Sequence, residues 1–187
     1  MSEYKIIALF GPSGAGKDTV LNELCKLGEY NKIIPLTTRP LRENEFQNIN
    51  YNFVDSVSFA EKLLNGDLIE ATCFNDWFYG TDICSLDKEK INIGIFNITS
   101  IECLLEDNRL QIYPVYLYVS DKTRLLRSLE REENPNCEEI CRRFLADKKD
   151  FSNIPFEYIS FLNERQGLNI TVKMIDSYIR AQDIQTY

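Results

Sequence analysis

Residues 4–10, YKIIALF, run straight into GPSGAGKDT at 11–19, and this junction constrains the chain more than any other feature. An apolar run this short that ends on glycine predicts a buried parallel strand rather than a helix. From Lys17 onward Val20, Leu21, Leu24 and Leu27 recur at helical spacing, with Asn22, Glu23 and Lys26 facing out and Gly28 as the stop. Strand, glycine loop and helix in that order make the setting of a phosphate-binding loop. The spacing Gly-x-x-x-x-Gly-Lys puts the backbone N–H groups of residues 14–19 at a helix start, where they and the helix dipole favour a phosphate. The candidate ATP-binding residues are Gly11, Ser13, Gly14, Ala15, Gly16, Lys17, Asp18 and Thr19. Lys17 is expected to reach the β- and γ-phosphates as a mobile cation.

Asp18 stands where such a loop carries Ser or Thr to touch Mg²⁺. Two readings are open. Asp18 holds Mg²⁺ directly or through water, because that ion takes oxygen ligands. Alternatively Thr19 supplies the oxygen and Asp18 caps the helix.

The remaining composition narrows the chemistry. A length of 187 residues suits one domain with a small inserted lobe. The net charge of -8 argues against a nucleic-acid surface, which needs a basic face. The chain has no histidine, so imidazole nucleophile chemistry is excluded and the work must fall to Lys, Arg, carboxylates, hydroxyls and a metal. The six cysteines form no C-x-x-C pair and are expected to be small apolar fillers in a reducing compartment. No apolar run approaches a membrane span, and the expected location is cytoplasmic.

Further along, IIPLTTRPLRENE (33–45) starts as a strand and breaks at Pro40 into a basic loop, and YNFV (51–54) alternates as a short strand. DSVSFAEKLLNG (55–66) predicts a capped helix with Phe59 and Leu63 inward, and LIEATCF and WFYGT predict two strands around Asn75-Asp76. Core patterns return with NIGIFNI (92–98), a helical SIECLLEDN, QIYPVYLYV (111–119), two charged helices over 121–150 broken near Asn134-Pro135, a strand in FEYISFLNE (156–164) and a closing helix over 172–182. This order implies an α/β fold: a parallel sheet covered by helices on both faces, with residues 37–82 as an inserted lobe. Arg124, Arg127 and Arg131 share one helix face and Arg142 and Arg143 follow the break, although Glu130, Glu132, Glu133, Glu138 and Glu139 interleave them and would suit a solvated, ion-paired face.

Thr37-Thr38-Arg39-Pro40-Leu41-Arg42-Glu43-Asn44-Glu45, then Tyr51-Asn52-Phe53-Val54, Glu70, and Tyr79-Gly80-Thr81 stand in the order and spacing of the guanylate kinase family, a group of P-loop nucleoside monophosphate kinases. Over about residues 5–180 the chain resembles that family. The resemblance implies a three-layer α/β/α P-loop domain with core 1–36 and 83–187, a mixed α+β acceptor-binding lobe 37–82 and a helical lid at about 124–143. It implies transfer of the γ-phosphoryl of ATP to GMP or dGMP with Mg²⁺, by a monomer or homodimer without nucleic-acid or membrane partners. Arg39, Arg42, Tyr51 and Tyr79 would hold the acceptor phosphate, a task for which guanidinium forks and phenol hydroxyls are directional donors. Glu70, with Gly80 and Thr81, would read the base: guanine presents two adjacent donors, N1–H and the 2-amino group, to one carboxylate, and the Thr81 hydroxyl could donate to O6. Lys17, Arg127, Arg131 and Arg143 would stabilise the transferring phosphoryl group, and Asn163 would lie near the adenine.

By the same resemblance four positions depart from the family. Asp18 replaces the loop hydroxyl, Pro35 a phosphate-binding serine, and Asn44 a glycine. Asn97 and Thr99 replace two acids, of which the second helps read guanine and the first lies on the metal side. Asp18 is then expected to supply the carboxylate missing at 97. Thr99 keeps open a kinase for another (deoxy)nucleoside monophosphate or a ribose bisphosphate, and a non-catalytic module that binds a protein partner is the reading from a different class.

Overall fold

A computed structural model describes residues 3–42, 45–131, 133–164 and 167–184. The elements follow as β1 (Tyr4–Phe10), α1 (Lys17–Cys25), β2 (Tyr30–Lys32), β3 (Leu36–Thr37), β4 (Asn52–Phe53), α2 (Ser56–Asn65), β5 (Leu68–Phe74), β6 (Trp77–Asp82), β7 (Ile91–Ile95), α3 (Ile98–Glu106), β8 (Leu110–Tyr118), α4 (Asp121–Glu130), α5 (Cys137–Asp150), β9 (Ile159–Leu162) and α6 (Leu168–Ile184). One sheet has the order β2-β7-β1-β8-β9, the other β4-β3-β6-β5. The first is parallel in its β2–β7 and β8–β9 pairs, and the second is mixed. Two compact units result: residues up to Ala8 with Glu29–Tyr113, and Leu9–Gly28 with residues from Pro114 on. No helix among the described residues is long and apolar enough to cross a membrane.

In the first unit the chain leaves one sheet for the other at Pro35. Residues 33–45 are not one broken strand as expected: β2 ends at Lys32 and only Leu36–Thr37 pairs again, in the second sheet. Proline has no N–H to offer a ladder, so strand pairing stops before it. The two hydroxyls after it fasten the next loop. Thr37 Oγ1 donates to the Phe78 carbonyl (3.0 Å) and Thr38 Oγ1 accepts from the Phe78 N–H (2.9 Å). The β5–β6 hairpin turns at Asn75 and Asp76, both at positive φ (49° and 63°), the geometry a two-residue hairpin requires. The register runs unbroken from that turn, with Phe74 opposite Trp77, to Glu70 opposite Thr81, and shifts only beyond, between Glu70 and Leu68, so the hairpin turn decides which residue pairs with that hydroxyl.

Helix α2 is capped by Asp55, which accepts from the Ser58 N–H at 2.8 Å, and is anchored by buried Phe59, stacked on Phe78 at 5.5 Å. Leu63, expected inward, is 51% exposed; the helix ends two residues later at Asn65, and the contact of this part of α2 with β6 is made by Lys62, paired with Asp82 at 2.6 Å. Removing the cap with Asp55→Ala should lower the urea midpoint at unchanged slope.

In the second unit α1 buries Val20, Leu21 and Leu24, and α6 buries Val172, Ile175 and Ile179. Leu27 is half-exposed rather than part of the apolar stripe, because the helix ends at Cys25 and Gly28 (φ 82°) turns the chain away. Helices α4 and α5 are separated around Asn134-Pro135 as expected, and Ser120 and Asn136 cap them. The cysteines are not core fillers: five are exposed and Cys25 is half-buried. They occupy strand ends and outward helix positions, where a small side chain meets no packing demand.

Candidate active site

The phosphate loop lies in the second unit. Gly14 (φ 80°) and Gly16 (φ 86°) have left-handed backbone, and a Cβ on either would stand 2.6 Å from the Arg124 carbonyl oxygen or from Asn163 Nδ2. Handedness and close approach both require glycine there. Lys17 Nζ donates to the carbonyls of Gly11 (2.7 Å) and Pro12 (3.1 Å), so the ammonium lies folded over its own loop. Burial pushes its pKa down, with Asp18 and Asp147 opposing and Arg124 reinforcing the shift. Asp18 and Thr19 are exposed on the first turn of α1.

The loop is held by its neighbours in the same unit. Asn163 Nδ2 donates to the Ala15 carbonyl at 2.8 Å. Arg127 donates through Nη1 to the carbonyls of Gly14 (3.3 Å) and Ala15 (3.4 Å) and through Nη2 to that of Asn163 (2.8 Å). Its donors thus go to loop carbonyls, which fixes the loop's shape. Asn163 Oδ1 is buried without a hydrogen-bond partner.

Asp147, which motif reading passed over, and Arg124, named in the arginine row but not among the residues expected at the phosphoryl group, complete this half. Asp147 Oδ2 accepts from the Ser13 N–H (2.8 Å) and from Arg124 Nη1 (3.2 Å). Arg124 is buried, lies 4.1 Å from the Phe144 ring centroid and donates through Nη2 to the Phe144 carbonyl (3.1 Å). The first arginine of the row therefore ties α4 to α5 and, through Asp147, to the loop. Arg143 is exposed and bonded to Glu139 (2.6 Å), as is Arg142 (2.7 Å); the two guanidiniums hold the Glu139 carboxyl down at about 2. Loop and helices line a cavity of about 550 Å³, whose wall includes Lys17, Asp18, Thr19, Arg127, Arg131 and Arg143.

The first unit gathers the other predicted residues. The Arg39 fork is bidentate to Glu45 (Nη1–Oε2 2.9 Å, Nη2–Oε1 2.8 Å), and Nη1 also donates to the Pro40 carbonyl (2.9 Å). Tyr79 is a further hydrogen-bond partner of this guanidinium. The guanidinium carbon lies 5.3 Å from the Tyr51 ring centroid, and Tyr51 meets Tyr79 edge-on at 6.0 Å. Arg42 is exposed, and its backbone N–H donates to Glu45 Oε2 (2.9 Å). Glu43, Asn44 and Glu132 lie outside the described residues.

Glu70 is buried, accepting from Thr81 Oγ1 on Oε1 and from Ser100 Oγ on Oε2, each at 2.8 Å. Burial pushes the Glu70 carboxyl up, and the two hydroxyls pull it back in part. A hydroxyl has one proton, so the Thr81 proton is given to Glu70 and not turned toward a base oxygen. Gly80 lies beside this pair, where a Cβ would crowd the Glu70 carbonyl (3.0 Å) and Phe59 (3.1 Å). Asn97 caps α3, accepting from the Ser100 N–H at 2.7 Å. Thr99 is exposed and outside this cluster; its successor Ser100 faces Glu70 instead. Sequence reading missed Ser100 because only the cap and the packing of α3 on β5 decide which first-turn residue points inward.

The guanylate kinase family model matches residues 3–182. The chain is 27% identical over 183 residues to the guanylate kinase of Sulfurimonas denitrificans, covering 95% of this chain and 89% of that one. It is 32% identical over 158 residues to that of Prochlorococcus marinus, covering 81% and 84%. A solved guanylate kinase from Anaplasma phagocytophilum shares the fold at a TM-score of 0.71 with 22% identity, over 97% of this chain and 87% of that one. On a match that runs almost end to end, the chain belongs to the guanylate kinase family.

Proposed function

We propose that this kinase-type enzyme transfers the γ-phosphoryl group of ATP to GMP or dGMP. The observation that carries the reading is the buried Glu70 carboxylate, in the same unit as the Arg39–Tyr51–Tyr79 cluster. A buried carboxylate with acceptor capacity to spare favours a base with two adjacent donors, and adenine, which presents an acceptor at N1, leaves it unpaired. The guanidinium beside two phenols suits a phosphate dianion. In the other unit the loop N–H groups and Lys17 suit the donor phosphates, and the partnerless Asn163 Oδ1 suits an amino group such as that of adenine. Because the acceptor is already an anionic oxygen, in-line positioning and cationic charge are needed and a general base is not.

Mg²⁺ fits the donors present. Among the described residues no cluster of three or more Asp, Glu, Cys or His could cage an ion, while Asp18 and Thr19 offer oxygens at the cavity wall. That donor set suits an ion held chiefly by substrate phosphates and water; when bound, it would neutralise charge on the phosphates. If Asp18 holds it, Asp18→Asn raises the Mg²⁺ concentration for half-maximal turnover by about tenfold; an unchanged titration assigns the role to Thr19.

The test is a coupled assay with ATP and Mg²⁺ against GMP, dGMP, AMP, dAMP, UMP, CMP and dTMP separately. Turnover confined to GMP and dGMP is expected. Turnover on another base would move the acceptor class. ATP binding with no turnover on any would point to a non-nucleotide acceptor, and no ATP binding to an interaction module.

A further inference from the structure

We propose that Ser100 is a positioning residue for base recognition: its hydroxyl locks the Glu70 carboxylate so that the two acceptor sites left over form one fixed edge matched to the N1–H and 2-amino donors of guanine. The inference deepens the GMP reading and rests on it.

An ionised carboxylate has about four acceptor sites, two per oxygen. Thr81 takes one on Oε1 and Ser100 one on Oε2, both at 2.8 Å, which leaves one site on each oxygen. With a donor on either side, the carboxylate cannot turn about its last bond without breaking both hydrogen bonds. All three residues are buried, at 7% exposure for Glu70, 0% for Thr81 and 3% for Ser100, so water does not readily replace a lost partner. The two clamps come from different elements. Thr81 is the cross-strand partner of Glu70, and Ser100 stands in the first turn of α3, where the Asn97 cap takes its N–H.

The clamp also gives a use to the segment in which the family's two acids are replaced. Asn97 orders the helix start, Thr99 stays exposed, and Ser100 contributes a donor to the existing acid instead of a second acid to the base. A single carboxylate can read two donors only if its plane is held. Without Ser100, Glu70 keeps its charge and its Thr81 bond but can rotate, so its two acceptors fall out of register with a two-donor base while still reaching one donor.

Inosine monophosphate isolates this effect, because its base keeps N1–H and lacks the 2-amino group. KM and kcat for GMP and for inosine monophosphate, and KM for ATP, would be measured for the unaltered protein and for Ser100→Ala, Ser100→Cys and Ser100→Thr. In Ser100→Ala the KM for GMP should rise by about tenfold or more, the scale of a hydrogen bond to a charged group, at unchanged kcat and unchanged KM for ATP. The KM for inosine monophosphate should change far less, so the preference for GMP narrows. Ser100→Cys should fall between, and Ser100→Thr, which keeps the hydroxyl, should restore the preference.

Equal loss on both acceptors, or no change, would overturn the positioning role while leaving the GMP reading intact. So would an unaltered protein that uses both acceptors equally well. Failure of the unaltered protein both to turn over GMP and to bind it by calorimetry would instead overturn the GMP reading, and the inference with it. If Ser100→Ala does not fold, Ser100→Cys carries the same comparison at nearly native volume.

Discussion

Replacing Lys17 by methionine will lower kcat by about a thousandfold, about 4 kcal/mol of transition-state stabilisation, without unfolding the protein. Methionine keeps the unbranched stem and removes only the ammonium. That ammonium is bonded to the Gly11 and Pro12 carbonyls, and burial pushes its pKa down, which means the folded protein bears a cost for keeping it charged. Relieving that cost offsets the two lost hydrogen bonds, so the thermal midpoint should stay close to that of the unaltered protein. Steady-state kinetics and a thermal melt on one preparation check both halves. Turnover within tenfold of the original would show that the transferring charge is met by the α4 and α5 arginines instead of the loop. A collapsed midpoint would make Lys17 a structural strut.

The second large effect belongs to Glu70→Gln. The amide keeps the shape, the Thr81 bond and one acceptor, but turns one carboxylate oxygen into a donor facing a donor. Loss of kcat/KM for GMP of about a thousandfold is expected, because a buried site that pairs two donors rejects the mismatched arrangement strongly. The pH dependence follows from the direction of the shift. Burial holds the Glu70 carboxyl above its ordinary 4.5, and guanine needs it ionised, so KM for GMP should rise as pH falls through that raised value. Stability runs the opposite way. Between the ordinary and the raised pKa the folded state binds more protons than the unfolded one, so this group's contribution is full below the ordinary value and is lost as pH rises through the raised one. Glu70→Gln should therefore gain stability relative to the unaltered protein as pH is raised. A GMP-binding profile that is flat across acid pH would show that Glu70 does not read the base.

Much of the molecule was legible from residue order because the signals were local. A short apolar run ending at Gly11 with Lys17 beyond it leaves little alternative to strand, loop and helix, and β1 and α1 appear there. Asn75-Asp76 marked the hairpin because few residues tolerate positive φ in succession, and Asn134-Pro135 separated α4 from α5. Segments failed where tertiary partners outvoted spacing. Leu27 and Leu63 kept helical period but had no surface to cover, and the cysteines had the size of core residues without a core position.

Residue order alone carried the glycine loop between β1 and α1, the succession of elements and the side-chain types available for chemistry, since each depends on residues a few positions apart. How those side chains are used emerges only on folding. Arg124 is buried against Phe144 and Asp147, Arg127 is bonded to loop carbonyls, and Arg143 is paired with Glu139. Three arginines on two helices, two of them with one helical spacing, thus have three different environments, because charge neutralisation depends on what lies across from a guanidinium. The base-reading candidate shows the same limit. Glu70 was visible as an isolated acid, but the register of a hairpin and the first turn of a helix thirty residues away place two hydroxyls on its two oxygens. Hydrogen bonds form between residues that folding brings together, and no spacing rule along the chain encodes a partner that far off.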